Sequence, residues 1–184
     1  MSRLLALVAA IMAIASAALA QAPGPAPTVH PGTRLNFPPT LGGASFERGE
    51  AEGSGAVYLY GINKMQIYVI LYDGGRRVPP GSDSPALLTQ FTTEVNQAAA
   101  QLTGAGYHQF ERPTVPSTCA YGSVTFRCIV YSVHAASGRL YSKLLMTGYH
   151  DYFLKIRIDW ASGTGQTQAD ADKALQAFVP ALIH

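Results

Sequence analysis

Three histidines are the residues of this chain best suited to acid and base chemistry. The chain contains His108, His134 and His150, and a nucleophilic hydroxyl or thiol needs such a histidine beside it, oriented by a third group. The sequence lacks the Gly-x-Ser-x-Gly turn that presents the serine in many hydrolases. A small hydrolase therefore requires one of these histidines to converge with a hydroxyl or carboxylate in the fold, and no catalytic residue is assigned.

Metal and phosphate sites have no clear motif in the sequence. Metal ligands are histidine, cysteine or carboxylate side chains at regular short spacings, and the nearest approach is the adjacent pair His150 and Asp151. The glycine-rich segment Gly163-Thr164-Gly165 lacks the lysine of a phosphate-binding loop. We expect neither a metal ion nor a cofactor.

Four tyrosines on two neighbouring predicted strands form the first candidate binding site. Tyr58 and Tyr60 lie on one strand, and Tyr68 and Tyr72 lie on the next. Exposed together on the outer face of a sheet, they would make a recognition surface, because amphipathic rings are favoured at interfaces. The alternative is that they shield the sheet or pack beneath the preceding segment, since tyrosine favours strands.

A second candidate site combines two cations with a nearby turn. Lys155 and Arg157 alternate along the last predicted strand, and Tyr149 and His150 lie in the turn before it. Together they could bind a small anion. The alternative is that the two cations form the solvated face of a strand.

Two cysteines, Cys119 and Cys128, are separated by a segment with turn character. A disulfide between them is possible if the chain reverses at residues 121–123, and an oxidising compartment would permit it. On a single extended strand they would lie about 30 Å apart. We expect a disulfide, with two buried free thiols as the alternative.

The N-terminal segment has the three parts of a secretory signal peptide. A basic start precedes the apolar run Leu4–Ile14, and small residues end the segment at Ala18-Leu19-Ala20. We predict cleavage after Ala20, export to the periplasm or the outside of the cell, and no membrane span in the mature chain. A membrane anchor is the alternative, since the segment is near the lower length limit for spanning a bilayer.

Composition divides the rest of the chain into a leader and one domain. Residues 21–40 are rich in proline and poor in bulky apolar residues, which predicts a flexible leader. An ordered arm packed on the domain is the alternative. Residues 41–184 suit a single domain with one core.

The charge balance argues against polyanionic partners. Thirteen lysines and arginines face 11 acidic residues, the net charge is +2, and the cations are scattered. Nucleic-acid and anionic-membrane binding need clustered cations, so we expect neither.

Hydrophobic periodicity predicts an α+β fold. Met65, Ile67, Val69 and Leu71 alternate with more polar neighbours, which is typical of a half-buried strand. Three later strands, joined by short turns between residues 122 and 159, must be antiparallel neighbours. We therefore predict an antiparallel meander sheet.

Two amphipathic helices complete the predicted fold. Ser84 and Pro85 begin the first helix and Gly104 ends it. Thr167 begins the second with a capping box, and Pro180 should kink or end it. We expect both helices to pack on one face of the sheet.

Three segments resemble known exported proteins. They are Gly-Ala-Val-Tyr-Leu-Tyr at 55–60, Ile-Tyr-Val-Ile-Leu-Tyr-Asp-Gly at 67–74 and Tyr-Phe-Leu-Lys-Ile-Arg at 152–157. In these segments and in the order of its elements, the chain resembles the Mog1/PsbP-like fold and the DcrB-like exported bacterial proteins of unassigned function. The resemblance implies a small binding or accessory domain, and it transfers no catalytic residue.

These observations favour a non-enzymatic extracytoplasmic accessory or binding domain. Its partner would be an envelope protein or a small ligand. The enzymatic alternative is the hydrolase that uses one of the histidines. A structural protein that dimerises through an open sheet edge is a third possibility.

Overall fold

The fold is an antiparallel sheet with two helices, seen in a computed structural model. The structure describes residues 29–52, 55–75, 77–104, 107–113, 115–135 and 138–183. The strands are β1 (Thr40–Leu41), β2 (Ala44–Glu52), β3 (Gly55–Ile62), β4 (Met65–Tyr72), β5 (His108–Glu111), β6 (Ser117–Tyr121), β7 (Val124–Ala135), β8 (Gly138–Tyr149) and β9 (Tyr152–Ala161). The helices are α1 (Pro85–Gly104) and α2 (Gln168–Leu182). The predicted signal peptide lies outside the described residues.

The nine strands form one sheet in the order β1-β2-β3-β4-β9-β8-β7-β5, and β6 pairs with β7 beside β5. Every pairing is antiparallel. Two meanders, β1 to β4 and β7 to β9, meet where β4 pairs with β9. The predicted antiparallel sheet and the α+β class are confirmed.

Both helices begin as the sequence predicts. The amide of Leu87 donates to the Ser84 hydroxyl at 3.2 Å at the start of α1. At the start of α2 the amide of Asp170 donates to the Thr167 hydroxyl, and the Thr167 amide donates to the Asp170 carboxylate. α2 continues to Leu182, two residues beyond Pro180, because the proline removes only one hydrogen bond in the last turn.

The helices lie on opposite faces of the sheet, so the prediction that both pack on one face is wrong. α2 packs in a core with Leu145 and Ile156, whereas α1 packs in a second core with Leu144 and Met146. Adjacent residues of β8 thus point into different cores. A strand that is apolar on both sides needs a cover on both sides.

Residues 29–40 form an ordered arm on the α2 face. Leu35 and Phe37 are buried, and the Phe37 ring stacks on Tyr58 with ring centres 3.5 Å apart. The Tyr60 hydroxyl donates to the Pro38 carbonyl at 2.9 Å. The predicted flexible leader is therefore wrong for residues 29–40, because Leu35 and Phe37 supply apolar surface to bury. Residues 21–28 of the predicted leader lie outside the described part.

Neither α1 nor α2, the helices of the described chain, is long and apolar enough to cross a membrane.

Candidate functional site

The four candidate tyrosines divide between the two faces of the sheet. In the β3–β4 hairpin, Tyr60 lies opposite Ile67 and Tyr68 lies opposite Leu59. Directly opposed residues share a face, so the even-numbered residues of the two strands point in opposite directions. Tyr58 and Tyr60 consequently face α2, and Tyr68 and Tyr72 face α1.

The tyrosines on the α2 face are core residues. Tyr58 is 3% exposed and Tyr60 is fully buried. Tyr58 lies under the arm, and the Tyr60 ring meets Phe178 of α2 edge to face at 5.2 Å. The four tyrosines therefore do not form one contiguous outer surface. Tyr58 and Tyr60 instead pack beneath the preceding segment, which is the alternative interpretation of the sequence.

On the α1 face, an ion pair joins the helix to the sheet. The ammonium of Lys155 lies 2.5 Å from the Glu94 carboxylate, and both side chains are nearly buried. The Tyr72 hydroxyl donates to the same carboxylate at 2.6 Å. We call Lys155, Glu94 and Tyr72 the α1 clasp. Burial alone would raise the pKa of Glu94, but Lys155, Tyr72 and Gln90 together hold it below its ordinary value.

A matching group joins α2 to the other face. Lys143 of β8 pairs with Asp172 of α2, and the Tyr121 hydroxyl donates to the Asp172 carboxylate at 3.4 Å. We call Lys143, Asp172 and Tyr121 the α2 clasp. Burial alone would lower the pKa of Lys143, but its hydrogen bonds with Asp172 and Tyr121 raise it. Each helix is thus joined to the sheet by a lysine, a carboxylate and a tyrosine. This similarity indicates that the α1 clasp has a structural role.

Arg157 of β9 lies beside the α1 clasp. The α2 clasp contains no arginine. Its guanidinium group lies 4.4 Å from the centre of the Tyr68 ring and 3.0 Å from the Asp159 carboxylate. Asp159 also accepts from the Ser142 hydroxyl at 2.7 Å. Burial alone would lower the pKa of Arg157, but Asp159 and the hydroxyls of Tyr131 and Tyr68 raise it, so the group stays charged.

Lys155 and Arg157 line a cleft between α1 and the sheet, which we call the α1 cleft. Tyr68 and Ile70 of β4 and Val57 of β3 form its sheet side. The volume of the cleft that the centre of a water molecule can occupy is about 30 Å³. That is room for about two waters, since one takes roughly 10–15 Å³ on this measure.

The helix side of the α1 cleft is polar. Glu94, Gln97 and Gln101 lie on it. The charged residues that line the cleft are Lys155, Arg157 and Glu94. Glu94 pairs with Lys155, and Asp159 pairs with Arg157 beside the cleft, so the local charges balance. The cleft can therefore accept a small polar group that accepts hydrogen bonds from the two cations.

The predicted anion-binding patch is not assembled. Lys155 and Arg157 face α1, whereas Tyr149 packs against the core on the α2 face. His150 lies in the tight β8–β9 turn with a positive φ of 48°, its ring 4.5 Å from that of Tyr149. The alternative of a solvated strand face is also wrong, because α1 covers the two cations.

Of the three histidines, only His134 lies near a carboxylate and a hydroxyl. Its Nε2 is 3.8 Å from Glu111 Oε1. The Ser132 hydroxyl donates to Glu111 at 3.4 Å, and Arg139 pairs with the same carboxylate. A nucleophilic serine would need its hydroxyl bonded to the histidine, so this group has the wrong order of contacts for the hydrolase mechanism.

The other histidines do not extend this group into a catalytic or metal site. His108 is exposed and lies opposite His134 in the β5–β7 pairing. Among the described residues, no group of three or more histidine, cysteine, aspartate or glutamate side chains is arranged to hold a metal ion.

The structure joins Cys119 and Cys128 in a disulfide. β6 and β7 form a hairpin that reverses at residues 122–123, which places the two Cα atoms 6.1 Å apart. The expected turn is therefore present. The strand β6 itself was not predicted, because five residues between Pro116 and Gly122 give little periodicity.

Glu94 is the functional residue that the sequence interpretation missed. It is the one charged residue in the 20-residue segment of α1. It lies three residues after Phe91 and one before Val95, both buried, so it borders the apolar stripe. A lone charge in that position indicates a partner on the sheet.

No protein-family model matches this chain, and no curated protein is significantly similar to it in sequence.

Proposed function

We propose that the chain is an exported, non-enzymatic binding or accessory domain and that the α1 cleft is its binding site. One observation carries the proposal. A largely buried arginine stacked on Tyr68, a buried lysine and the partly exposed apolar residues Val57 and Ile70 meet in one open cleft. Binding pockets typically combine apolar walls with a few well-placed polar groups.

The dimensions and charge of the cleft favour a carboxylate-headed ligand. Its inner space holds about two waters, which is close to the size of a carboxylate. The ammonium group of Lys155 and the guanidinium group of Arg157 are charged hydrogen-bond donors at the cleft, which favours a carboxylate head over a neutral one. Val57 and Ile70 would contact the apolar remainder of the ligand, as a short fatty acid or a similar amphiphile provides.

Export has independent support. The signal-peptide pattern precedes the domain, and the Cys119–Cys128 disulfide suits an oxidising compartment. The resemblance to Mog1/PsbP-like and DcrB-like proteins implies an accessory or binding domain of the same kind. We propose the periplasm or the extracellular space as the location.

Isothermal titration with sodium hexanoate and with neutral hexanamide tests the proposal. We expect hexanoate to bind about tenfold more tightly, because only its head is charged. Val57→Gln should weaken binding several-fold. Leu88→Gln is the matched control, because Leu88 is a partly exposed apolar residue of α1 that does not line the cleft. The proposal fails if neither compound binds, or if the two variants change binding equally.

A further inference from the structure

The open edges of the sheet other than β6, which belong to β2 beyond its short pairing with β1 and to β5, are protected against pairing with another chain. β2 has an irregular register between Phe46 and Arg48, and it carries several charged residues. β5 has an irregular register between His108 and Glu111. Bulges and charges on edge strands are the usual means of preventing association.

β6 has none of these features. Its five residues are uncharged, and they pair with β7 in an unbroken register from Ser117 to Tyr121. Ser117, Thr118 and Ala120 are exposed. Within the described part of the chain, β6 has no strand on its other side.

The register of the β6–β7 hairpin identifies which backbone groups of β6 are available to pair with another strand. A two-residue turn at 122–123, with a φ of 61° at Gly122, closes the hairpin between Tyr121 and Val124. The residues that flank such a turn form a hydrogen-bonded pair, and paired and unpaired positions then alternate. The amide and carbonyl groups of Thr118 and Ala120 therefore point away from β7. No turn or loop of the described residues bonds to them.

We propose that two copies of this chain associate through β6, side by side and antiparallel, about a twofold axis at Cys119. This register places Thr118 opposite the partner's Ala120, and Ala120 opposite the partner's Thr118. Each of these residues then donates its amide and accepts at its carbonyl. The interface is self-complementary, as a twofold axis requires, and it makes one continuous sheet from the two copies.

Val115 supports the choice of this edge. It lies two residues before β6 and is 71% exposed, more than any other large apolar residue that the structure describes. Continuing the antiparallel register places it beside the partner's β6–β7 turn. Self-association would therefore cover an apolar side chain as well as a backbone edge.

Electrostatics does not oppose the pairing. The nearest charge is Arg127 on β7, whose guanidinium group donates to the Thr118 hydroxyl at 3.5 Å. The two β7 strands would be separated by three strand spacings, about 14 Å. Each guanidinium group reaches toward β6, so the two charges lie closer together than the strands, but exposed charges are screened over about 8 Å at physiological salt.

A short strand pair makes a small interface, so the dimer is weak. Interfaces below about 1,200 Å² belong to transient complexes. We expect a dissociation constant between about 10 µM and about 1 mM. The disulfide favours association, because it holds β6 on β7 before the partner arrives.

Sedimentation velocity over that concentration range tests the proposal with a matched pair of variants. Ala120→Pro removes an outward amide and no hydrogen bond to β7, and Ala120→Val keeps the amide. We expect the purified wild type and Ala120→Val to dimerise and Ala120→Pro to remain monomeric. A wild type that is monomeric throughout overturns the proposal, as does an Ala120→Pro variant that dimerises equally.

Hydrogen exchange of the wild type gives a second test that does not depend on a variant. The amides of Thr118 and Ala120 should exchange at least several-fold more slowly in the concentrated sample than in the dilute one. Exchange at both residues that does not change with concentration overturns the proposal, and so does slowing that occurs only along β2.

Discussion

Lys155 and Lys143 show how one type of side chain can hold two helices on opposite faces of a sheet. Each lysine meets a carboxylate from the helix above it, and each carboxylate accepts from a tyrosine hydroxyl. Burying an ion pair costs much of its Coulombic gain, but removing one partner leaves an uncompensated charge. The clasps therefore fix where the helices sit more than they add net stability.

Lys155→Met should destabilise the protein by about 3–5 kcal/mol, because it leaves the carboxylate of Glu94 buried without a cation. The double variant Glu94→Gln/Lys155→Met should recover part of that loss. Urea unfolding measures both free energies. Lys143→Met is the control, and it should cost less, since the side chain of Asp172 is 39% exposed and stays hydrated. Equal losses at the two lysines would contradict this account of the α1 clasp.

At the scale of elements, the arm is the part of the fold that responds to mild acid. The His30 ring lies edge to face against Tyr152 at 5.1 Å, and its Nδ1 accepts from the Thr33 amide at 3.1 Å. Burial lowers the pKa of His30 below its ordinary value of 6.5. The folded arm thus favours the neutral ring, whereas the unfolded chain binds the proton near pH 6.5.

The sign of the effect follows from this difference. Stability is complete above pH about 6.5 and falls as the pH decreases toward the lower folded pKa. The protection factors of the amides in residues 29–40, corrected for the intrinsic exchange rate at each pH, should fall as the pH decreases from about 7 to about 5. His30→Gln should remove that pH dependence, since the amide oxygen can accept from Thr33 and does not titrate. A variant that keeps the same dependence would contradict the role of His30.

The β6–β7 hairpin depends on the disulfide. Closing the loop between Cys119 and Cys128 should contribute about 2.5–3 kcal/mol by restricting the unfolded chain. Reduction should therefore lower the urea midpoint of unfolding. Alkylation without a reductant should leave the mass of the purified protein unchanged. Two alkylated thiols in that sample would show that the bond is absent.

The elements that the sequence predicts well are those with local signals. α1 has a capping serine, a proline at its first position and a complete apolar stripe, and each of these is seen in the structure. The β3–β4 turn lies at Asn63 and Lys64, which both have positive φ. A turn longer or shorter by one residue would reverse the face of every side chain on β4 relative to β3. The tyrosines divide between two faces because of this turn length, which the periodicity of the strands does not determine.

At the scale of the whole molecule, the fold class follows from the sequence but the layering does not. Lys155, Arg157 and Asp159 alternate with apolar residues on β9, a pattern typical of a sheet with one solvated face. In the structure that face lies under and beside α1, because Glu94 and Asp159 neutralise the two cations. Charge pairing across elements is not visible in the periodicity of one strand.

The α1 cleft arises only from this layering, since its two sides come from α1 and from strands distant in the chain. Titrating the ¹⁵N-labelled protein with sodium hexanoate is the most direct test of its role. We predict chemical-shift changes grouped at the amides of Tyr68, Ile70, Gln97, Lys155 and Arg157. Shifts grouped at other residues, or none up to the solubility limit of the ligand, would contradict the proposal that this cleft is the binding site.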